Sequence, residues 1–127
     1  MARFNECKRA IFTSIVRATF LIKHGNKYIP VQLADVAYFS FEDKVTYINT
    51  VDSRRHILDH TLDELERMLD PGQFFRLNRQ YIASLSAITS VHHYFNGKLK
   101  VYVKPDIESG ITVSRERANP LKKWLDQ

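Results

Sequence analysis

Between Phe74 and Ile82 the chain sets two guanidiniums, Arg76 and Arg79, and two side-chain amides, Asn78 and Gln80, among residues that otherwise read as apolar and strand-forming. Arg pairs in bidentate fashion with guanine, and Asn or Gln with adenine. The fixed fork of Arg donors also grips phosphate. A merely solvated face would carry Lys and Glu, and neither occurs in this stretch. The segment therefore reads as a rigid, partly buried backbone that presents planar hydrogen-bonding groups to a nucleic acid. A structural use competes with this: Arg76 could pair with Asp63 or Glu66, and Asn78 could stabilise a turn. Strand alternation sends Phe75, Leu77 and Arg79 to one face and Phe74, Arg76 and Asn78 to the other, if the strand persists that far. Arg76 is then a semi-buried support and Arg79 an exposed reader.

Two further segments carry comparable chemistry. Ser114-Arg115-Glu116-Arg117 falls at a strand-to-helix junction, where free amides attract an anion and Arg115 can reach a guanine edge or a phosphate. Cations are unfavourable at a helix start, so two arginines there point to a use other than capping; the alternative is a capped helix with a solvated first turn. Glu42-Asp43-Lys44-Val45-Thr46 joins two strands, and Lys44 and Thr46 could touch a DNA backbone or a thymine methyl. The acidic pair argues instead for a solvated turn. His56 and His60 are four apart, but the first lies in a strand-like stretch, where such a pair does not converge on a metal. No nucleophile, base and orienting group can be proposed together, and there is no Gly-rich phosphate loop. Neither enzymatic activity nor a cofactor or metal is expected.

The elements that must hold these groups are mostly short strands. Thr19–Lys23 and Lys27–Val31 flank a tight turn at 24–26, and Pro30, which cannot donate to a ladder, is expected at a strand end or edge. Further strands are expected at Val36–Phe41, Lys44–Thr50, Arg55–Asp59, Phe74–Arg76, Tyr81–Ile82, Ala87–Tyr94, Lys98–Lys104 and Ile111–Val113. Asn96-Gly97 is the strongest hairpin signal in the chain. Thr61 and Glu64 form a capping box for a helix whose Leu62, Leu65, Met68 and Leu69 share a stripe. A last helix starts either after Ser114 or at Asn119-Pro120, with Leu121, Trp124 and Leu125 as its apolar edge. The fold class is mainly β: short antiparallel sheets with one central short helix and a C-terminal helix.

The 127 residues suit one domain, and 44% hydrophobic with 12% aromatic content supports a true core. A formal net charge of +5 favours a polyanionic partner. Cys7 is the only cysteine, so no intrachain disulfide forms. No apolar run approaches the roughly 20 residues a membrane span needs, and no signal peptide is evident, so a cytoplasmic protein without membrane contact is expected. Residues 1–17, with Arg3, Lys8, Arg9 and Arg17 around Ala10-Ile11-Phe12, read as a linker or N-terminal extension ahead of a domain at 18–127. Tyr38, Phe39, Tyr81, Tyr94, Phe95 and other aromatics leave open stacking on single-stranded bases, and the small all-β layout leaves open a protein-interaction module.

Four segments together resemble the LytTR-type DNA-binding domains: Asp35-Val36-Ala37-Tyr38-Phe39, Thr61-Leu62-Asp63-Glu64-Leu65-Glu66, Phe74-Phe75-Arg76-Leu77-Asn78-Arg79-Gln80-Tyr81-Ile82 and Val113-Ser114-Arg115. The resemblance implies an elongated arrangement of short antiparallel sheets that meets double-stranded promoter DNA through loops rather than a recognition helix. It further implies the output domain of a bacterial two-component response regulator, a homodimer on direct repeats, and a receiver domain or histidine kinase as partner in a longer regulator. By position, the first contact loop holds Lys44 and Thr46, the second Asn78 and Arg79, and the third Arg115 with Arg117 nearby. Many members have His where this chain has Asn78. Arg76 belongs to the same central motif, and Arg117 with Lys122 is expected to neutralise phosphates. Lys98, Lys100 and Lys104 are expected to lie away from DNA.

Overall fold

The computed structural model describes residues 19–127, which hold ten strands and two α-helices. The expected linker at 1–17 lies outside the described residues. Strands β1 (Thr19–His24) and β2 (Lys27–Gln32) form a hairpin whose turn uses Gly25 at φ 63°. Pro30 stands opposite Leu21 within β2. It is tolerated because this sheet has two strands only, so β2 keeps one unpaired side.

A 3-10 turn at Leu33–Asp35 leads into β3 (Val36–Glu42), β4 (Val45–Thr50) and β5 (Arg55–Leu58). Helix α1 (Leu62–Met68) intervenes before β6 (Phe74–Arg76) and β7 (Tyr81–Ser84). The five strands make one antiparallel sheet in the order β5-β4-β3-β7-β6. Both halves of the expected capping box are present: Thr61 Oγ1 accepts from the Glu64 amide at 3.1 Å and Glu64 Oε1 from the Thr61 amide at 2.9 Å. The helix buries Leu62 and Leu65 against the sheet, with Leu69 beyond its end, in a core shared with Phe20, Ile22, Phe39, Ile48, Phe74 and Ile82. Leu65 alone, fully buried, contributes on the order of 2 kcal/mol.

A second core forms where β8 (Ile88–His93), β9 (Leu99–Val103) and β10 (Ile111–Val113), ordered β10-β9-β8, meet helix α2 (Arg115–Leu125). Strand β9 alternates as expected: Leu99, Val101 and Val103 are buried, whereas Lys100 and Tyr102 are half-exposed. The Asn96-Gly97 turn joins β8 to β9 with φ of 59° and 76° at its two central residues, and the Lys98 amide donates to the Phe95 carbonyl at 3.2 Å. That is the left-handed pair a two-residue hairpin turn requires.

Of the two possible starts for the last helix, the one after Ser114 is observed, and Pro120 lies inside the helix rather than at its first position. The reason is tertiary. Ala118 and Leu121 bury into the second core, so the helix runs through the proline at the loss of one internal hydrogen bond.

Candidate nucleic-acid interface

The sheet topology decides where the cationic turns go. In an antiparallel order β4-β3-β7-β6, the end of β3, the start of β4, the end of β6 and the start of β7 share one edge. The Asp43-Lys44 turn and the 77–80 turn therefore project from the same end of the sheet. A backbone bond from the Phe41 amide to the Gln80 carbonyl, at 2.9 Å, ties the two together. Asn78 Nδ2 donates to the Thr112 carbonyl at 2.9 Å, and Arg117 donates to the Arg76 carbonyl at 2.9 Å. These bonds bring the start of α2, with Arg115, to that same end.

Arg76 is the strut of this arrangement. Its Nε donates to the Asn78 carbonyl at 2.6 Å, one terminal nitrogen meets Asp63 at 2.8 Å and Glu66 at 3.1 Å, and the other donates to the Arg79 carbonyl at 3.2 Å. Only 11% of its side chain is exposed. The Arg76 hydrogen bond and charge hold the Asp63 carboxyl below its usual range. Four of its five donors are thereby spent inside the protein, two of them on the carboxylates weighed as its structural partners, and one donor is left for the expected DNA contact.

Asn78 is likewise occupied. Its Oδ1 accepts from the amides of Gln80 (2.8 Å) and Tyr81 (3.0 Å), and its Nδ2 is spent on Thr112. The strand stops at Arg76, so alternation does not carry through to Asn78. Thr46, the other candidate of the first loop, is largely covered. It occupies the inward phase of β4 with Ile48, between Phe41 and Leu58 on the neighbouring strands, and is 5% exposed. Lys44 lies two residues before it and is exposed at the turn, with φ 65° after Asp43 at φ 51°.

Arg79, Arg115 and Lys122 are exposed and enter no ion pair among the described residues; the same holds for Lys44. Arg117 is exposed and keeps donors beyond the one given to Arg76. Glu42, at the base of the first turn, is bound by Arg55 at 3.0 Å, and that guanidinium lies 3.8 Å from the Tyr47 ring centre. Burial pushes the phenols of Tyr38 and Tyr81 up, and the Glu42 charge adds to the shift at Tyr81. Both remain neutral beneath the turns.

One neighbour went unread in the sequence. The 95–98 hairpin tip meets Arg115: a Cβ on Gly97 would stand 2.9 Å from the Arg115 Cδ. The hairpin was legible from Asn96-Gly97, but a contact eighteen residues away in sequence carries no local signal. Lys98 thus belongs to a hairpin set against Arg115 rather than apart from it. Lys100 instead donates to Thr112 Oγ1 at 3.1 Å and sits over the Tyr94 ring. Elsewhere, His60 packs on Phe20 and approaches Glu64 at 3.8 Å. Among the described residues no group of three or more His, Cys, Asp or Glu could hold a metal ion.

A mainly β scaffold whose exposed cations gather at one end, on two strand-joining turns and the start of a helix, is the class of protein defined by this geometry. Residues 26–126 match the family described as the LytTr DNA-binding domain, and the chain belongs to that family. It is 32% identical over 95 residues to the sensory transduction protein LytT of Bacillus anthracis, covering 75% of this chain and 37% of that protein. The LytT of Bacillus subtilis (strain 168) is 30% identical over 101 residues, 80% of this chain and 41% of that protein. The chain therefore spans about two-fifths of these relatives' length. In solved structures, its fold matches the LytTr DNA-binding domain of a Bacillus cereus methyl-accepting/DNA response regulator with TM-score 0.74, at 22% identity, over 87% of this chain and 99% of that one. Among the described residues no helix is long and apolar enough to cross a membrane.

Proposed function

We propose that the domain reads double-stranded promoter DNA in a sequence-specific manner and regulates transcription, as the output portion of a two-component response regulator in the cytoplasm, without catalytic activity. Arg79 and Arg115 are the groove contacts, Lys44 assists from the first turn, and Arg117 with Lys122 neutralises phosphates. Arg76 and Asn78 act behind them by fixing the 77–80 turn. The observation that carries this reading is that two exposed cationic turns and the cationic start of α2 lie together at one end of the five-stranded sheet. Family membership supports it, as does the naming of the relatives as sensory transduction proteins. Residues 1–17 would then link the domain, from 18 onward, to a receiver domain answering a histidine kinase, and two copies would sit on direct repeats.

The test begins with duplex fragments selected for binding from a random pool. Arg115→Ala should weaken the selected site by about 5- to 150-fold, the worth of one bidentate base contact, and scrambled duplex far less. Fluorescence anisotropy at fixed salt reads both affinities. An equal loss on both would remove Arg115 from base reading, and a preference of the wild-type domain for single strands would sink the duplex assignment.

A further inference from the structure

We infer that Gly97 is a positioning residue for Arg115: the bare backbone of the β8–β9 turn is the bed on which the Arg115 side chain lies. The inference rests on the DNA-reading role proposed for Arg115. A Cβ on Gly97 would stand 2.9 Å from Cδ, 3.1 Å from Cγ and 3.8 Å from Cβ of Arg115, so the whole aliphatic stem runs across the glycine. No side chain fits there unless Arg115 swings away. Arg115 has no ion pair among the described residues to hold it otherwise. The stem is flexible, so added bulk at 97 moves the arginine rather than the fold.

The left-handed backbone of Gly97, φ 76°, would by itself favour glycine, and that explanation needs separating from the contact. The molecule supplies its own control. Gly25 turns the β1–β2 hairpin at φ 63°, and a Cβ there meets nothing within 4 Å. Both glycines hold a positive φ at a hairpin turn, and they differ in what lies over them. Rigid placement matters at Arg115 because a base contact tolerates little misplacement, and a long side chain left unsupported loses the geometry that bidentate pairing needs. The turn is well built as a support. The Tyr94 amide donates to the Lys98 carbonyl at 2.9 Å and the Lys98 amide to the Phe95 carbonyl, closing the tip on both sides.

The experiment compares Gly97→Asn with Gly25→Asn, since Asn tolerates the left-handed region while bringing a Cβ. The readout is the ratio of affinities for a selected duplex and its scrambled counterpart. Gly97→Asn should lower that ratio on the order of tenfold, within what one base contact supplies, and Gly25→Asn should leave it unchanged. In an Arg115→Ala background Gly97→Asn should cause no further loss. Equal losses from both asparagines, or a full Gly97→Asn loss without Arg115, would overturn the inference. Independently of DNA, the wild-type domain should show a nuclear Overhauser contact between Gly97 Hα and Arg115 Hδ, and its absence overturns the inference even if the variant does not fold. A wild-type domain with no preference among duplexes would instead overturn the DNA-reading role itself.

Discussion

The turn at 77–80 and the turn at Asp43-Lys44 sit at one end of the same sheet and are held in opposite ways. Side chains brace the first from behind. Arg76 binds two of its carbonyls, Asn78 binds two of its amides and reaches across to β10, and Arg117 binds the Arg76 carbonyl. Among the described residues no side chain is bonded to the backbone of the second, and only the Arg55–Glu42 pair stands at its base. It holds its shape through the register of β3 on β4, Glu42 opposite Val45, and through two consecutive residues in the left-handed region. A polar network fixes one presenting loop, whereas backbone geometry, with the Arg55–Glu42 pair at its base, fixes the other. Of the two arginines between Phe74 and Ile82, the one in β6, which looks equally suited to DNA by sequence, holds the turn that carries the other.

If that contrast holds, Asn78→Ala has the largest effect on folding. It frees two amides and the Thr112 carbonyl, and should cost about 2–3 kcal/mol at roughly 1 kcal/mol per net hydrogen bond. Arg79→Ala, one residue on, should change stability by less than about 0.5 kcal/mol while weakening DNA binding. Urea midpoints and anisotropy titrations on the same two variants separate the roles. Asn78→Asp keeps the acceptor oxygen and loses the donor to Thr112, so it should fall between wild type and Asn78→Ala. A destabilised Arg79→Ala with an unaffected Asn78→Ala would reverse the assignment of brace and reader.

Much of this arrangement was legible in the chain itself. Periodicity located the strands, Thr61 and Glu64 the first helix, and Asn96-Gly97 the hairpin, because each signal is local. Strand alternation could not assign a face to Arg79, because the strand ends at Arg76. The carboxylates Asp63 and Glu66 were the right candidate partners, since a partly buried guanidinium needs anions nearby. Thr46 could not be placed: the residues after a turn face in or out according to the turn's length, and the two-residue turn at 43–44 sets Thr46 inward with Ile48. The helix start failed for a related reason. Pro120 signals a first helical turn locally, but the burial of Ala118 and Leu121 on a core built from distant strands overrides it. Contacts such as Gly97 with Arg115 arise only when sheet and helix close on each other.

A smaller effect sharpens the comparison from the other side. Lys44 holds φ 65° without a side-chain brace, and a non-glycine residue there costs on the order of 1 kcal/mol. Lys44→Gly should therefore stabilise the domain, by roughly 0.5–1 kcal/mol after the added entropy of the unfolded chain. The same substitution removes a cation, and the slope of log affinity against log salt should shrink by about one phosphate contact. Thermal unfolding and a salt series on one variant thus report opposite changes, greater stability with weaker binding. Loss of both would show that Lys44 makes contacts that hold the turn, which would erase the contrast with 77–80.

The smallest expected effect probes how the Arg76 brace is anchored. Its two carboxylate partners lie on α1 and its two carbonyl partners in the turn. Folding lowers the Asp63 carboxyl below its ordinary value of 3.8, chiefly through the Arg76 hydrogen bond and then through the guanidinium charge. A depressed folded-state value means the charged form is favoured by folding, so this contribution is fully present above the unfolded value and is lost as pH falls through the folded one. Asp63→Asn should consequently lower stability slightly at neutral pH and flatten the decline below about pH 4, where the carboxylate of the wild type takes up its proton. Urea midpoints measured from pH 7 down to pH 3 compare the two curves. Parallel acid limbs would mean that Asp63 adds nothing to the brace, and Glu66 would then be the carboxylate that joins the turn to the helix.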